Sequence, residues 1–265
     1  MAKQLVQPMV DAVRQATALV ARMRAPRQQA AAPADKVGLL TEADLAIDRH
    51  LRSVLAHLAP QDAILTEESG VTGAAGASCT WVIDPLDGTK EFAAGIPECA
   101  IVVAHFRPQL ALGIVQNLLT GEMAWAESGG ARSDNLRPSA CTDLAQARIT
   151  VSRSEHKRGW WQDFGIPTLP VGSIAWKVAQ VALGHSDATI TYTPKSTWDV
   201  AGAIYLAHAA GCVVTDGSGA PLSLKAQVVE LNQGIIVAVP GIADALIAHA
   251  VPWIARRPAS QMDAR

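Results

Sequence analysis

The chain has 265 residues, close to half of them hydrophobic, which suffices for a sizeable core in one large domain or two small ones. The formal net charge is only −2 and the basic residues form no runs, which argues against a nucleic-acid polymer as partner. Cys79, Cys99, Cys141 and Cys212 lie far apart with no C-x-x-C pair, so they read as reduced, mostly buried thiols of a cytoplasmic protein rather than as a zinc or disulfide framework.

In chain order, the first segment carries Val6, Met9, Val10, Val13, Thr17 and Val20 at helical spacing, which predicts an amphipathic packing helix. Asp11, Arg14, Arg22 and Arg24 interrupt it, so it is neither a signal peptide nor a membrane span. "RAPRQQAAAPADK" (Arg24 to Lys36) reads as a connection. Ile47, Leu51, Val54, Leu55 and Leu58 predict a second helix ended by Pro60, with Thr41 and Asp44 as a capping box that puts Asp44 in its first turn. "AILTEES" (Ala63 to Ser69) predicts a short strand ending in Glu67 and Glu68, followed by a Gly/Ala loop. "TWVIDPLDGTKEF" (Thr80 to Phe92) predicts a buried strand that ends in Asp84 and Asp87 and leads into a short helix. "CAIVVAHF", "LALGIVQNLL" and "GEMAWAES" predict an antiparallel meander.

From about Ala147 strands alternate with helices, as in layered folds: "ARITVSRS", then helix "SIAWKVAQVALG" closed by Gly184, strand "ATITYT" and helix "TWDVAGAIYLAHAAG". "CVVTD", strand "GIIVAVP" and helix "IADALIAHAVPWIA" finish the fold, and the tail "ARRPASQMDAR" is expected to fray.

Each acidic site has a plain structural explanation. Asp84 and Asp87 suit a strand-end turn. Glu67 and Glu68 suit a solvated turn, while Asp44 and Asp199 suit the first turns of helices. Their coincidence points elsewhere: four acidic sites stand at strand ends or helix starts, where layered folds gather active sites. Hard divalent cations take carboxylate and carbonyl oxygens. The Asp-Pro-Leu-Asp turn offers two aspartates and the Leu86 carbonyl, and a pair of ions held there can activate water against a phosphate ester. Gly88 and Thr89 would offer backbone N–H groups to phosphate oxygens. The Thr89 hydroxyl can pass a proton towards Asp44.

Together, "TEADLAID" (Thr41 to Asp48), "TEES" (Thr66 to Ser69), "DPLDGTKEF" (Asp84 to Phe92) and "TWDVAGA" (Thr197 to Ala203) resemble the inositol monophosphatase superfamily of magnesium-dependent, lithium-sensitive phosphatases. "VGSIAWK" (Val171 to Lys177) resembles its substrate-side Gly-Ser helix start, which makes Gly172, Ser173 and Lys177 substrate-binding candidates. The likeness runs from about Val37 to Val239 and implies an α+β fold, a layered αβαβα sandwich of two subdomains, often dimeric. The boundary is expected near 145, with 1–145 and 146–265 as the two parts.

Carried over by position, Glu67, Asp84 and the Leu86 carbonyl hold a first Mg2+. Asp84, Asp87 and Asp199 hold a second, and a third, weaker ion uses Glu67. Asp44 and Thr89 orient and deprotonate the attacking water, with Glu67 counted among the catalytic residues and Glu68 behind it. The Gly88 and Thr89 amides hold the phosphate. Thr66 departs from the family, where Gly is frequent, without touching the metal set.

The resemblance implies an Mg2+-dependent phosphomonoesterase using in-line attack by water on a small phosphate ester, without a phosphoenzyme. "DGTKEF" and "SRSEHK" (Ser152 to Lys157) resemble the 3′(2′),5′-bisphosphate nucleotidase branch, which removes the 3′ phosphate of adenosine 3′,5′-bisphosphate. Inositol-1-phosphate and histidinol phosphate stand as alternatives. Lys90 and Glu91 also read as a solvated pair, His156 as a surface residue, and Trp160, Trp161 and Trp176 as core or as an adenine platform. A phosphate-binding protein without turnover is the rival from another class, and such proteins usually lack one of the acids.

Overall fold

The computed structural model describes residues 3–29, 36–130, 132–222, 224–226, 231 and 234–257. Two helices open the chain, α1 (Lys3–Gln29) and α2 (Lys36–Leu58). Val6, Met9, Val10, Val13 and Val20 are buried, as their spacing predicts. Helix α1 runs through Arg24 to Gln29, so half of the expected connection is helical, and 30–35 lie outside the described residues. Helix α2 starts before Thr41, which places Asp44 in the body of the helix rather than its first turn. The capping-box pattern was local, whereas the start of this helix is not.

Strands β1 (Ala63–Thr66), β2 (Gly70–Gly73), β3 (Thr80–Asp87), β4 (Ala100–Phe106), β5 (Leu110–Asn117) and β6 (Met123–Glu127) form a sheet in the order β2-β1-β3-β4-β5-β6. β1 and β3 run parallel, and the meander from β3 to β6 is antiparallel as expected. The expected Gly/Ala loop instead begins with β2, folded back on β1 through the tight turn at Glu67 to Ser69. Helix α3 (Thr89–Ala94) follows β3.

The second sheet has the order β10-β11-β9-β7-β8, from β7 (Ile149–Ser152), β8 (Thr168–Val171), β9 (Ala188–Thr191), β10 (Val213–Asp216) and β11 (Ile235–Ala238). α4 (Arg153–Lys157), α5 (Ile174–Leu183), α6 (Thr197–Ala209) and α7 (Pro240–Ile254) complete the chain. Gly184 closes α5 in the left-handed conformation, as read from sequence. The tail from 258 lies outside the described residues. Sequence periodicity gave no sign of β8, which is four residues long, contains Pro170 and pairs parallel with β7 at the sheet edge.

The layers are α1 and α2, the first sheet, α5 and α6, the second sheet, and α7. That is the expected αβαβα sandwich. Alternation along β3 sends Trp81 and Ile83 into the core under α1 and α2, and Val82 into a cluster with Ala201 of α6. The next residue on Val82's face is Asp84, which therefore points to the side where α6 begins. Gly202 of α6 sits so near β4 and β5 that a Cβ on it would lie 2.6 Å from the Val103 carbonyl oxygen. Gly113 of β5 meets the Gly202 carbonyl in the same way. Among the described residues no helix is long and apolar enough to cross a membrane.

Candidate active site

At the mouth of β3 the chain leaves the ladder, and the pairing with β4 becomes irregular between Asp84 and Asp87. The Asp84 carboxylate accepts the Leu86 N–H at 2.9 Å, so this stretch is a tight turn. It is also the floor of a cavity of about 410 Å3 lined by Glu67, Asp84, Leu86, Asp87, Gly88, Thr89 and Asp199. Glu67 arrives from the turn after β1, and Asp199 from the first turn of α6. One carboxylate oxygen each from Glu67, Asp84 and Asp199 lies within 4.8 Å of the others. Asp84 is fully buried at the centre.

Asp87 has a double attachment. Its Oδ2 accepts the Ser173 hydroxyl at 2.6 Å and the Ala175 N–H at 2.7 Å, which ties the turn to the start of α5. Ser173 also accepts the Trp176 N–H at 2.9 Å, and it holds a positive φ of 52° to do both. Gly88 has φ 87°, and a Cβ there would stand 2.6 Å from the Glu98 carbonyl oxygen, so glycine is required on two counts. Asp199 accepts the Ser196 N–H at 2.8 Å, which fixes it at the head of α6.

Such crowding disfavours ionisation, and the lysines facing it, Lys177 and Lys195, offset it only in part. Burial, then Asp87, Asp199 and Glu67, pushes the Asp84 carboxyl well above the usual range. Burial and then Asp87 push Asp199 up to about 7. Burial, then Glu68 and Glu67, push Asp44 up to about 8. An oxygen-only donor set carrying this much suppressed negative charge fits a hard divalent cation such as Mg2+. The sign gives a prediction. Carboxyl groups with raised folded-state pKa stabilise the fold below the ordinary range near 4 and lose that contribution as pH climbs through about 7 and about 8. The melting temperature of chelator-treated protein should fall further behind that of Mg2+-saturated protein as pH rises across this span. A gap that stays constant or narrows contradicts the metal assignment.

The remaining sequence candidates fall in two groups. Thr89, Gly172, Ser173 and Lys177 line the cavity with the acids. Asp44 and Glu68 are not on its wall, although the charges of Glu68 and Glu67 act on Asp44. Lys90 is exposed on the rim, but Glu91 is buried against Gly172, where no Cβ would fit beside its carboxyl, so the two are not a solvated pair. Trp161 and Trp176 belong to the core. Trp160 is half-buried under the Arg158 guanidinium and lines a smaller cavity next to the first. His156 is exposed and off the wall, while Ser152, Arg153 and Ser154 are on it.

Two features escaped sequence reasoning. Arg153 grips Glu98 through its Nε and one Nη, and Glu98 also accepts the Gly172 N–H at 2.5 Å, joining α4, the loop after α3 and the approach to α5. Lys195 lines the cavity with its ammonium held at 2.6 Å from the Thr193 hydroxyl and 3.0 Å from the Pro194 carbonyl. The available signal was its place just ahead of the capped Asp199. Lys177 is 2 % exposed, and burial lowers its ammonium to about 8.

Comparison with known proteins agrees with this geometry. The inositol monophosphatase family model matches residues 1–254. The inositol-1-monophosphatase of Mycobacterium leprae is 34% identical over 239 residues, covering 82% of this chain and 78% of that one. The inositol monophosphatase of Dictyostelium discoideum is 25% identical over 242 residues, covering 84% and 89%. The crystal structure of inositol monophosphatase II from Staphylococcus aureus superposes with a TM-score of 0.78 at 20% identity, over 95% of this chain and 97% of that one. The chain belongs to the inositol monophosphatase family of phosphoric monoester hydrolases.

Proposed function

We propose that the protein is an Mg2+-dependent phosphomonoesterase whose preferred substrate carries a second phosphate, with adenosine 3′,5′-bisphosphate the best fit. The observation that carries this reading is the division of one cavity. Glu67, Asp84 and Asp199 converge on its floor, while Lys90, Lys177 and Lys195 face it from the other elements. Of these, Lys195 hydrogen-bonds the uncharged Thr193 hydroxyl and the Thr193 and Pro194 carbonyls rather than a carboxylate, so its charge acts across the cavity, on Asp87 and Asp199 and on any anionic group bound there. The scissile phosphate needs the acidic side with its cations; the lysines suit a further anionic group. Trp160 lines the adjoining cavity, with the Arg158 guanidinium over its ring.

Glu67, Asp84, Asp87, Asp199 and the Leu86 carbonyl would hold two or three Mg2+ ions. When bound, these supply Lewis acidity that stabilises the charge developing on the phosphoryl oxygens. Asp87 has one oxygen committed to α5, so it presents the other to the cavity. The amides at Gly88 and Thr89 orient the phosphate. The Thr89 hydroxyl relays the proton of the attacking water towards the Asp44 carboxylate. Water adds to phosphorus as the ester oxygen leaves and is protonated, giving alcohol and inorganic phosphate.

Inositol-1-phosphate is the second reading, favoured by the name of the Mycobacterium leprae relative. Lys195→Gln separates the two. A charge-assisted hydrogen bond is worth about 1.5–3 kcal/mol, so KM for the bisphosphate should rise roughly 10- to 100-fold with kcat held, and KM for inositol-1-phosphate should stay put. Equal effects on both substrates would remove the second-phosphate assignment.

A further inference from the structure

The end of the first sheet opposite Asp84 gathers three side chains of a different chemistry. Asp62 directly precedes β1, Cys79 directly precedes β3, and His105 lies one residue from the end of β4. β1 and β3 run parallel with Ala63 opposite Thr80, so Asp62 and Cys79 stand side by side one step earlier. β3 and β4 run antiparallel with Trp81 opposite His105, and the pleat puts Cys79, Trp81 and His105 on one face. A carboxylate oxygen of Asp62, the Cys79 sulfur and a ring nitrogen of His105 all lie within 4.8 Å of one another. Asp62 and His105 are 43 positions apart, so no sequence spacing showed this; the absence of cysteine pairs argued only against sites built from such pairs.

We infer that Asp62, Cys79 and His105 form a site for a borderline-soft divalent cation of the Zn2+ class, separate from the carboxylate cluster. Sulfur and imidazole donors select such an ion over Mg2+, the reverse of the oxygen-only set at Asp84. The ligands are already oriented. The Asp62 Oδ2 accepts the Trp81 indole N–H at 2.8 Å and lies 3.1 Å from His105 Nε2. Trp81 stacks on the imidazole with ring centroids 4.0 Å apart and planes 6° apart, which fixes the ring plane. Burial keeps that imidazole neutral, as a ligand must be. Asp62 and Cys79 are half-buried, and Asp62 borders a cavity of about 220 Å3 with Arg52, Ile64 and Thr72. Binding releases the Cys79 thiol proton and leaves one tetrahedral position for water, and the ion ties together the ends of β1, β3 and β4.

The test is Co2+ added to the whole protein in excess Mg2+. A thiolate-to-cobalt charge-transfer band should appear, saturate at one equivalent and vanish when Zn2+ is added. Cys79→Ser should abolish the band, while Cys141→Ser and Asp84→Asn should keep it. No band at saturating Co2+, or a band that survives Cys79→Ser, overturns the site. Should Cys79→Ser fail to fold, the native protein still decides. At ten times its dissociation constant, Zn2+ should slow iodoacetamide alkylation of Cys79 by about tenfold and leave Cys141 unchanged. Equal alkylation of Cys79 with and without Zn2+ overturns the proposal.

Discussion

Asp84→Asn should lower kcat/KM on the order of 1,000-fold or more in saturating Mg2+. Asp84 is buried at the meeting point of Glu67, Asp87 and Asp199, and it is the acid that both expected metal positions share. The amide keeps the shape and still accepts the Leu86 N–H that closes the turn. What it removes is one negative charge from a crowded cluster. The metal-free variant should therefore melt at or above the metal-free native protein at neutral pH, because repulsion within the cluster is relieved. Loss of activity with retained or raised stability separates the metal role from a folding defect. A variant with near-native turnover would end the metal assignment.

Gly202→Val should have the second-largest effect, through the fold. The new side chain would meet the Val103 and Ile114 carbonyl oxygens and the Val102 side chain, with no flexible neighbour to yield among the carbonyls. Overpacking of this kind costs about 3 kcal/mol. It also acts on the site, because Asp199 stands in the same helix less than a turn away and reaches the cluster only while α6 hugs β4 and β5. The folded fraction should lose activity on the order of 100-fold, since displacements of an ångström at a reacting centre cost that much. Calorimetry and a Mg2+ titration check both halves. Native melting temperature and Mg2+ affinity in this variant would contradict the close-packing account.

Most of the acidic half of the site could be read from the chain. Asp84, Leu86, Asp87, Gly88 and Thr89 are neighbours in sequence, so their local pattern is also their spatial one. Glu67 and Asp199 were legible because each stands beside a strand end or helix start that the residues themselves mark. The basic half was less legible. Arg153 owes its position to Glu98 in the first half of the chain, and Lys195 is held by its neighbours Thr193 and Pro194, of which Thr193 is in turn anchored to Glu155 of α4. Glu91 looked solvated by composition, yet Gly172, absent from any local pattern around it, leaves the space that buries it. Asp44 was tied to a helix start by Thr41, although α2 begins earlier. The role proposed for it therefore rests on its nearness to Glu67 and Glu68 rather than on a helix terminus.

The most direct test of a metal-dependent phosphomonoesterase at this site is phosphate release from four compounds side by side. Adenosine 3′,5′-bisphosphate, inositol-1-phosphate, histidinol phosphate and fructose bisphosphate are assayed with Mg2+, with chelator, and with Mg2+ plus Li+. The bisphosphonucleoside should be hydrolysed with the highest kcat/KM, only with Mg2+, and with inhibition by Li+. Release that persists in chelator, or no release from any of the four with Mg2+ present, would contradict the account.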